Sequence, residues 1–371
     1  MNSTPDNLFK FRLTRQWYIL AWYKLSVPAA AVIMALVLGA IIILFQGVSP
    51  FTAYLSLLKG SFGDLNAIGR TLEKTTPLIL GGLAVAFAFK AGLFNIGAQG
   101  QLLFGAMVSA LVGFGIKGLP AVCHIPLALL AGAIAGALYA AIQGALKAYT
   151  GAHEVITGIM LNYVAINLTD YLSSSPFRDP APGNIIARTP LILETSRISS
   201  LGGIPQGFIL AVLGAVAVWC IIKYTTLGFE VRTVGHNPDA ARYAGIRVSR
   251  ILILVMACSG FFAGLGGAIE TQAIVYRFQP GFNVGLGFEG ITIALLARTH
   301  PLGVIPAALM VGAMKAGASQ MQFEAGVSME IIDVVLALML FFVAADVVVR
   351  RLLRHHEPGS LKLSLRAGWG R

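Results

Sequence analysis

Charged residues are scarce in this chain. They make up 12% of its 371 residues, and Asp and Glu together number only 16, against 27 Lys and Arg. So few charges, beside 57% hydrophobic residues and 42 glycines, exclude an ordinary soluble protein and indicate one that crosses a membrane many times. The basic excess does not indicate nucleic acid, because the Lys and Arg residues flank the apolar runs and form no continuous patch. We interpret them as orientation signals at the membrane surface.

Cysteines, catalytic constellations and nucleotide motifs are also lacking. The three cysteines, at positions 123, 220 and 258, lie in or beside apolar segments without metal-ligand spacing, so we assign them a structural role. His153, beside an acidic neighbour, and the solitary His300 have no further ligands nearby, and no Ser or Cys has an evident base. No G-x-x-x-x-G-K-[ST] stretch cradles phosphates. An intramembrane enzyme is therefore not supported.

Ten apolar runs are long enough to cross, or nearly cross, the core of a bilayer, which takes about 20 helical residues. They lie at residues 27–46, 76–91, 101–116, 124–148, 155–172, 207–224, 250–271, 286–298, 301–318 and 330–349. The sequence thus predicts an all-α integral membrane protein with about ten transmembrane helices. The first run is long for a signal peptide and lacks a small-residue cleavage site, so we predict a retained anchor whose N-terminus is cytoplasmic.

The distribution of basic residues supports this topology. With the N-terminus inside, the loop between residues 223 and 250 is cytoplasmic and carries five Lys and Arg, whereas the longer outer loop 173–206 carries three. Lys59, Arg70 and Lys74 fit less well, because the topology leaves them outside. We therefore predict three parts. These are a cytoplasmic N-terminal segment at 1–26, a single transmembrane domain at 27–349 with a cytoplasmic loop at 225–249, and a cytoplasmic basic tail at 350–371.

A short motif occurs twice, as FNIG at residues 94–97 and as FNVG at residues 282–285. The two copies follow the second and the seventh predicted helices, which run in opposite directions and would be equivalent in two inverted five-helix halves. Glycine-interrupted segments at matching positions of inverted halves are typical of transporters. A chance match in apolar, glycine-rich sequence is the alternative. Gly132 with Gly136, and Gly260 with Gly264, predict close helix packing.

The cytoplasmic stretch GFEVRTVGHNPDAARYAGI, residues 228–246, predicts a short capped helix. Asn237 suits the N-cap, Pro238 the first helical position, Asp239 the positive end of the helix, and Gly245 the stop. An ordinary interfacial helix is the alternative. Because its apolar side chains are mostly alanines, this helix would bind lipid weakly, and docking to a protein partner is favoured.

Five stretches together resemble the permease subunit of a bacterial ABC importer, in the family that serves nucleosides, simple sugars and branched-chain amino acids, and most of all its nucleoside-type members. They are AFKAGLFNIGAQGQLLFGAM, HEVITGIMLNYVAINLTDYL, GFEVRTVGHNPDAARYAGI, GFEGITIALLARTHPLGVIPAAL and EIIDVVLALMLFFVAAD. They follow the order of the family and cover most of residues 50 to 349.

This resemblance implies a division of labour in a bacterial inner (plasma) membrane. An extracytoplasmic binding protein or lipoprotein delivers the solute, this chain and a second, paralogous permease form the path, and a cytoplasmic ATPase subunit binds ATP and Mg. The chain itself would hold no cofactor. The short cytoplasmic helix would be the coupling helix, whose implied residues are Gly235, Asn237, Pro238, Ala241, Arg242 and Gly245. Movement of this helix would rock the two halves between outward-open and inward-open states.

A nucleoside path needs side chains that donate and accept hydrogen bonds, with aromatic faces nearby. The candidates are Phe94, Asn95, Gln99, Asn162, Tyr163, Phe282 and Asn283. For each amide a helix-to-helix hydrogen bond is the competing interpretation. A sugar or branched-chain amino acid is an alternative solute, and an ion-coupled secondary transporter is the rival class. That rival needs a carboxylate buried in the membrane. Most candidate carboxylates fall near predicted helix ends, and only Glu289 lies within a short segment predicted to be in the membrane, where capping or pairing at a helix junction is the alternative.

Overall fold

The computed structural model describes residues 26, 28–181, 186–201, 203–282 and 285–345. The helices in these ranges are α1 (Pro28–Phe45), α2 (Pro50–Phe62), α3 (Leu65–Lys90), α4 (Ala98–Gly115), α5 (Ala121–Thr150), α6 (Glu154–Ser174), α7 (Gln206–Tyr224), α8 (Thr226–His236), α9 (Pro238–Tyr243), α10 (Val248–Glu270), α11 (Leu286–Leu296), α12 (Val304–Ala325) and α13 (Glu330–Ala344). A π turn, Thr271–Val275, extends α10. A short antiparallel hairpin joins β1 (Ser200–Leu201) to β2 (Ile204–Pro205). The predicted N-terminal segment, except Ser26, and the predicted tail lie outside the described residues.

Within the described ranges, eight helices are long and apolar enough to span a membrane, and α11 is a shorter apolar helix. The all-α membrane architecture is therefore confirmed, while the count of ten crossings stays a prediction. One boundary differs by more than two turns, and one helix is additional. Helix α3 begins at Leu65 rather than at residue 76, because Asp64 caps it and its first turns carry charge that hides the helix from a hydrophobicity pattern. Helix α2 was not predicted.

Helices α3 and α10 exchange partners between the two halves of the chain. Besides packing on each other, α3 packs on α11 and α12 of the second half, whereas α10 packs on α4 and α5 of the first half. These contacts are equivalent if α1 and α3 to α6 correspond to α7 and α10 to α13. Reciprocal packing of this kind is expected if the two halves are structurally related.

The directions of these helices follow the same rule. Helix α12 runs antiparallel to α3, because Thr75 lies against Gly312 and Gly82 lies against Val304. Helix α5 runs antiparallel to α10, which is the equivalent pair. Both relations agree with helices that cross the membrane alternately, and they support the inverted arrangement predicted from the repeated motif.

Glycines let α5 and α10 approach to backbone contact. A side chain at Gly136 would collide with the backbone of Gly260 and Gly264, and one at Gly132 would meet Ala268. The close packing predicted from these glycine pairs is confirmed. Because lipid is as apolar as a leucine side chain, such close van der Waals contact is a main source of helix association in a membrane.

The N-termini of α4 and α11 meet. The backbone N–H of Gly287 donates to Oε1 of Gln99 at 2.7 Å, and a side chain at Gly287 would collide with the backbone of Gln99. These two residues are 188 positions apart, which is also the offset between Phe94 and Phe282 in the repeated motif. Equivalent residues touch each other only where a two-fold axis passes between them. This contact favours an inverted repeat over a chance match.

An irregular segment covers one end of this helix assembly. Residues 186–201 pack on α4, α5 and the π turn, where Thr189 N donates to Phe278 O at 2.9 Å and Ser196 Oγ donates to Gln272 Oε1 at 2.6 Å. In the predicted topology this end is extracytoplasmic. Gln272 in turn donates to Ser109, so the covering segment is tied to α4 through buried hydrogen bonds.

Candidate functional site

The junction between α3 and α4 is built around a fully buried amide. Gly92 ends the α3 turn at φ 72°, a left-handed conformation that glycine adopts without strain. Asn95, at 0% exposure, then donates from Nδ2 to Gln101 Oε1 at 2.8 Å and to Ser259 Oγ at 2.7 Å. Its Oδ1 accepts from Gln101 Nε2 at 3.0 Å. Asn95 therefore links the junction to α4 and α10.

The amide cluster extends to α5, α6 and α3 through residues that the sequence interpretation did not single out. Gln101 Nε2 donates to Gln143 Oε1 at 3.3 Å, and Gln143 Nε2 donates to Glu154 O at 2.8 Å. Ser259 Oγ donates to Ala84 O at 2.6 Å. Gln143 could have been found as the one amide inside the apolar run 124–148. Ser259 carries no such signal, because serine is common in close-packed membrane helices.

Asn162 joins the same junction from α6. Its Oδ1 accepts from Gly100 N at 2.8 Å, and its Nδ2 donates to Ile96 O at 3.0 Å. Asn95, Gln99 and Asn162 thus lie at one junction, and each makes a hydrogen bond to another helix or to the junction. In this conformation they are packing groups, and their contact with solute stays a prediction.

The predicted aromatic residues do not gather around these amides. Phe94 is half-buried and meets Phe89 edge to face, with ring centroids 5.0 Å apart. Tyr163 is 61% exposed on α6. Phe282 is buried and stacked on Phe278 at 5.3 Å. Asn283 lies outside the described residues.

The loop between α7 and α10 contains two helices where the sequence predicted one. Asn237 ends α8 and caps α9, and its Oδ1 accepts from the N–H groups of Asp239 and Ala240 at 3.0 Å each. Pro238 begins α9, and Gly245, at φ 80°, follows it. The predicted cap and stop are therefore confirmed, whereas the additional helix α8 is a correction.

Helix α9 has one buried and one exposed side. Ala241 is fully buried, whereas Tyr243 is 95% exposed and Arg242 is exposed and pairs with its neighbour Asp239 at 3.0 Å. An aromatic ring beside an arginine on a rigid, capped helix is a surface composition that favours protein contact.

Helix α8 connects this exposed helix to the α3–α4 junction. A side chain at Gly235 would collide with the carbonyl oxygen of Lys90, so the backbones of α8 and α3 touch at this point. Gly92, the first residue of the junction, lies beside the same glycine. Lys90 Nζ also donates to Thr299 Oγ1 at 2.9 Å, just beyond α11. A continuous line of contacts therefore runs from α9 through α8 to the start of the α3–α4 junction.

Three features together are those of a membrane permease. The two halves exchange packing partners through α3 and α10, and the N-termini of α4 and α11 meet in the interior. The exposed helix pair formed by α8 and α9 touches this interior. The chain belongs to the family described as the permease component of the branched-chain amino acid transport system, which matches residues 67–344. It is a component of a transport system and spans the membrane several times.

Three relatives cover nearly the whole chain. The guanosine ABC transporter permease protein NupP of Bacillus subtilis is 43% identical and covers 88% of this chain and 94% of its own. The nucleoside ABC transporter permease protein NupB of Lactococcus lactis is 37% identical, covering 89% and 93%. The glucose ABC transporter permease protein TsgB13 of Haloferax volcanii is 34% identical, covering 89% and 90%. The first two bacteria each have a second matching permease, NupQ and NupC, at 30% and 28% identity.

Proposed function

We propose that this chain and a second, paralogous permease form the path of an ATP-driven importer for a nucleoside-like solute. An extracytoplasmic binding protein delivers the solute, and a cytoplasmic ATPase subunit, which binds ATP and Mg, drives alternating access. The similarity to NupP along almost the whole chain carries the choice of solute. The paired permeases of two bacteria support a second, different permease subunit.

The ATPase subunit docks on α9 in this proposal. The capped helix presents Tyr243 and Arg242 to the cytoplasm, and Gly235 holds the adjoining α8 against the end of α3. Gly235, Asn237, Pro238, Ala241, Arg242 and Gly245 are therefore the coupling residues. They build, cap and anchor the helix pair that the ATPase would move.

The proposed location is a bacterial inner (plasma) membrane, with both termini in the cytoplasm. The transmembrane domain spans residues 27–349, the coupling loop spans 225–249, and the terminal segments are 1–26 and 350–371. The seven path candidates keep their proposed role only in a conformation that frees the amides from their present partners.

Uptake of guanosine into proteoliposomes tests this proposal. We expect uptake to require ATP, the ATPase subunit and the binding protein together, and omission of any one to abolish it. A vesicle with the permeases alone and an imposed proton or sodium gradient is the control. Uptake driven by that gradient alone would contradict the proposal and favour an ion-coupled transporter.

A simple sugar is the second candidate solute, because the relative TsgB13 is named for glucose and covers as much of this chain as the nucleoside permeases do. The two candidates share a hydroxylated ring and differ in the base. Competition of labelled guanosine uptake by excess adenosine, but not by excess glucose, is the result expected for the nucleoside. Uptake of labelled glucose without uptake of labelled guanosine would assign the sugar.

A further inference from the structure

Charged residues from five helices converge around two cavities of the transmembrane domain. They are Lys74 of α3, Glu270 of α10, Glu289 of α11, Lys315 of α12 and Asp333 of α13. Lys315 Nζ lies 2.5 Å from Glu289 Oε1 and 3.8 Å from Asp333 Oδ1. Charges within membrane helices are costly, and they are retained where they line a path or a water-filled space.

Lys315 lies near the middle of α12 rather than at its end. It lies ten residues before the end of α12 at Ala325, which corresponds to about 15 Å along a helix. The partner carboxylates come from the first turns of α11 and α13, where the helix dipole favours a negative charge. Two helix N-termini thus direct carboxylates at one lysine.

Two cavities meet at the Glu289–Lys315 pair. A small one of about 70 Å³ lies on the side of Lys74 and Glu270. A larger one of about 300 Å³ lies between α11 and α13 and is lined by Phe288, Thr292 and Asp333 as well as by the pair itself. The larger volume falls at the lower end of those that enclose a small molecule, and its wall combines charged groups with an aromatic ring.

Glu289 retains an unused acceptor at this site. Its Oε2 is buried and accepts no hydrogen bond within the described part of the chain. A buried, unsatisfied carboxylate oxygen is unfavourable, so a donor from a ligand would be stabilising there. Asp333 is exposed in the isolated chain and offers further acceptor oxygens across the same cavity.

We propose that the cavity lined by Phe288, Glu289, Lys315 and Asp333 binds the hydroxylated ring of the transported solute. An ionised carboxylate only accepts hydrogen bonds, and a vicinal diol supplies two donors, so the two groups are complementary. Lys315 pairs with both carboxylates and donates to a ring oxygen, and the Phe288 ring offers a face to the base. The inference rests on the proposed function, since it takes the solute to be a nucleoside.

The test compares guanosine with 2′,3′-dideoxyguanosine in proteoliposomes that contain the complete importer. The variants are Glu289→Gln and Asp333→Asn, and the matched control is Glu324→Gln. Glu324 lies on the same helix as Lys315 and pairs with Lys59 at 3.5 Å, but lines neither cavity. Since the same binding protein serves every preparation, a change in preference between the two solutes originates in the permease.

We expect the wild-type complex and Glu324→Gln to prefer guanosine, and each site variant to reduce that preference about tenfold by slowing guanosine uptake alone. Equal losses for both solutes would show a structural ion pair and overturn the inference, as would an unchanged preference. If the wild-type complex carries glucose and no guanosine, the proposed solute is wrong. The same variants are then tested with glucose and its deoxy analogues, and we expect the same loss of preference.

Discussion

Asn95 shows how one side chain can hold several membrane helices together. Its side-chain amide forms hydrogen bonds with Gln101 and Ser259. Through these two residues it is linked to Gln143 on α5 and to the backbone of α3. In hydrocarbon no water replaces a lost partner, so each member of such a cluster depends on the others. Loss of one member therefore leaves the others short of hydrogen-bond partners.

Replacement of Asn95 by Leu separates the packing role from the path role. We expect Asn95→Leu to destabilise the permease by about 1–3 kcal/mol, because it leaves the buried amide of Gln101 short of partners. The measurement is the midpoint of thermal unfolding of the complex in detergent. Asn167→Leu is the matched control, since Asn167 is exposed on α6 and bonds only to its own helix. An unchanged midpoint with lost uptake would instead make Asn95 a solute contact.

At the scale of the helices, hydrophobicity located most of the membrane spans, but not where they begin or what lies between them. Helix α2 was not predicted because it has only 13 residues and Lys59 and Gly60 interrupt its apolar run. Helix α8 was not predicted because its apolar side chains are too few to form a long run. Helix α2 packs on α12 and helix α8 on α7, and an apolar run does not reveal such contacts.

The candidate site residues also include some that were predictable from the sequence and some that were not. The cap at Asn237 and the stop at Gly245 were predictable, because their effect is on the neighbouring backbone. The partners of Asn95 were not, since Ser259 lies 164 residues away. The meeting of Lys315 with Glu289 was not predicted either, because it depends on how α12 packs beside α11 within the second half. The pair of Asn95 with Ser259 exists only once the two halves have packed together.

We expect helix α8 to pass movements of α9 on to α3. A side chain at Gly235 should disturb this coupling. We expect Gly235→Val to push α8 away from Lys90 while leaving the outer side of α9 intact. The ATPase subunit should then still bind and hydrolyse ATP, whereas uptake falls at least severalfold. Gly115→Val is the matched control, because no atom lies close to the place of its new side chain.

Arg242→Glu completes this comparison, because it alters the exposed side of α9 alone. We expect it to weaken ATPase binding, measured by co-purification, without loss of membrane insertion. If Gly235→Val also abolished ATPase binding, or if Arg242→Glu prevented insertion, α8 and α9 would be structural elements rather than a coupling unit.

At the scale of the whole molecule, the two halves form a closed set of contacts around a two-fold relation. Helix α3 depends on α11 and α12, and α10 depends on α4 and α5, so neither half buries its central helix without the other. The contact of Gln99 with Gly287 lies where the two-fold relation places equivalent residues together. Rocking of one half against the other would therefore act first on the helix N-termini that carry these residues.

The inverted arrangement requires an odd number of crossings between the loop after α4 and the loop that contains α9. Helices α5, α6 and α7 are three candidate spans, which places Lys117 and Tyr243 on opposite sides of the membrane. We expect a membrane-impermeant maleimide to label Lys117→Cys in intact cells, and Tyr243→Cys only after lysis. Both positions are exposed, and the three native cysteines are replaced by serine in each variant so that only the new thiol reacts. Labelling of both variants in intact cells would place the two loops on one side, and the pairing of α3 with α10 as inverted equivalents would then be wrong.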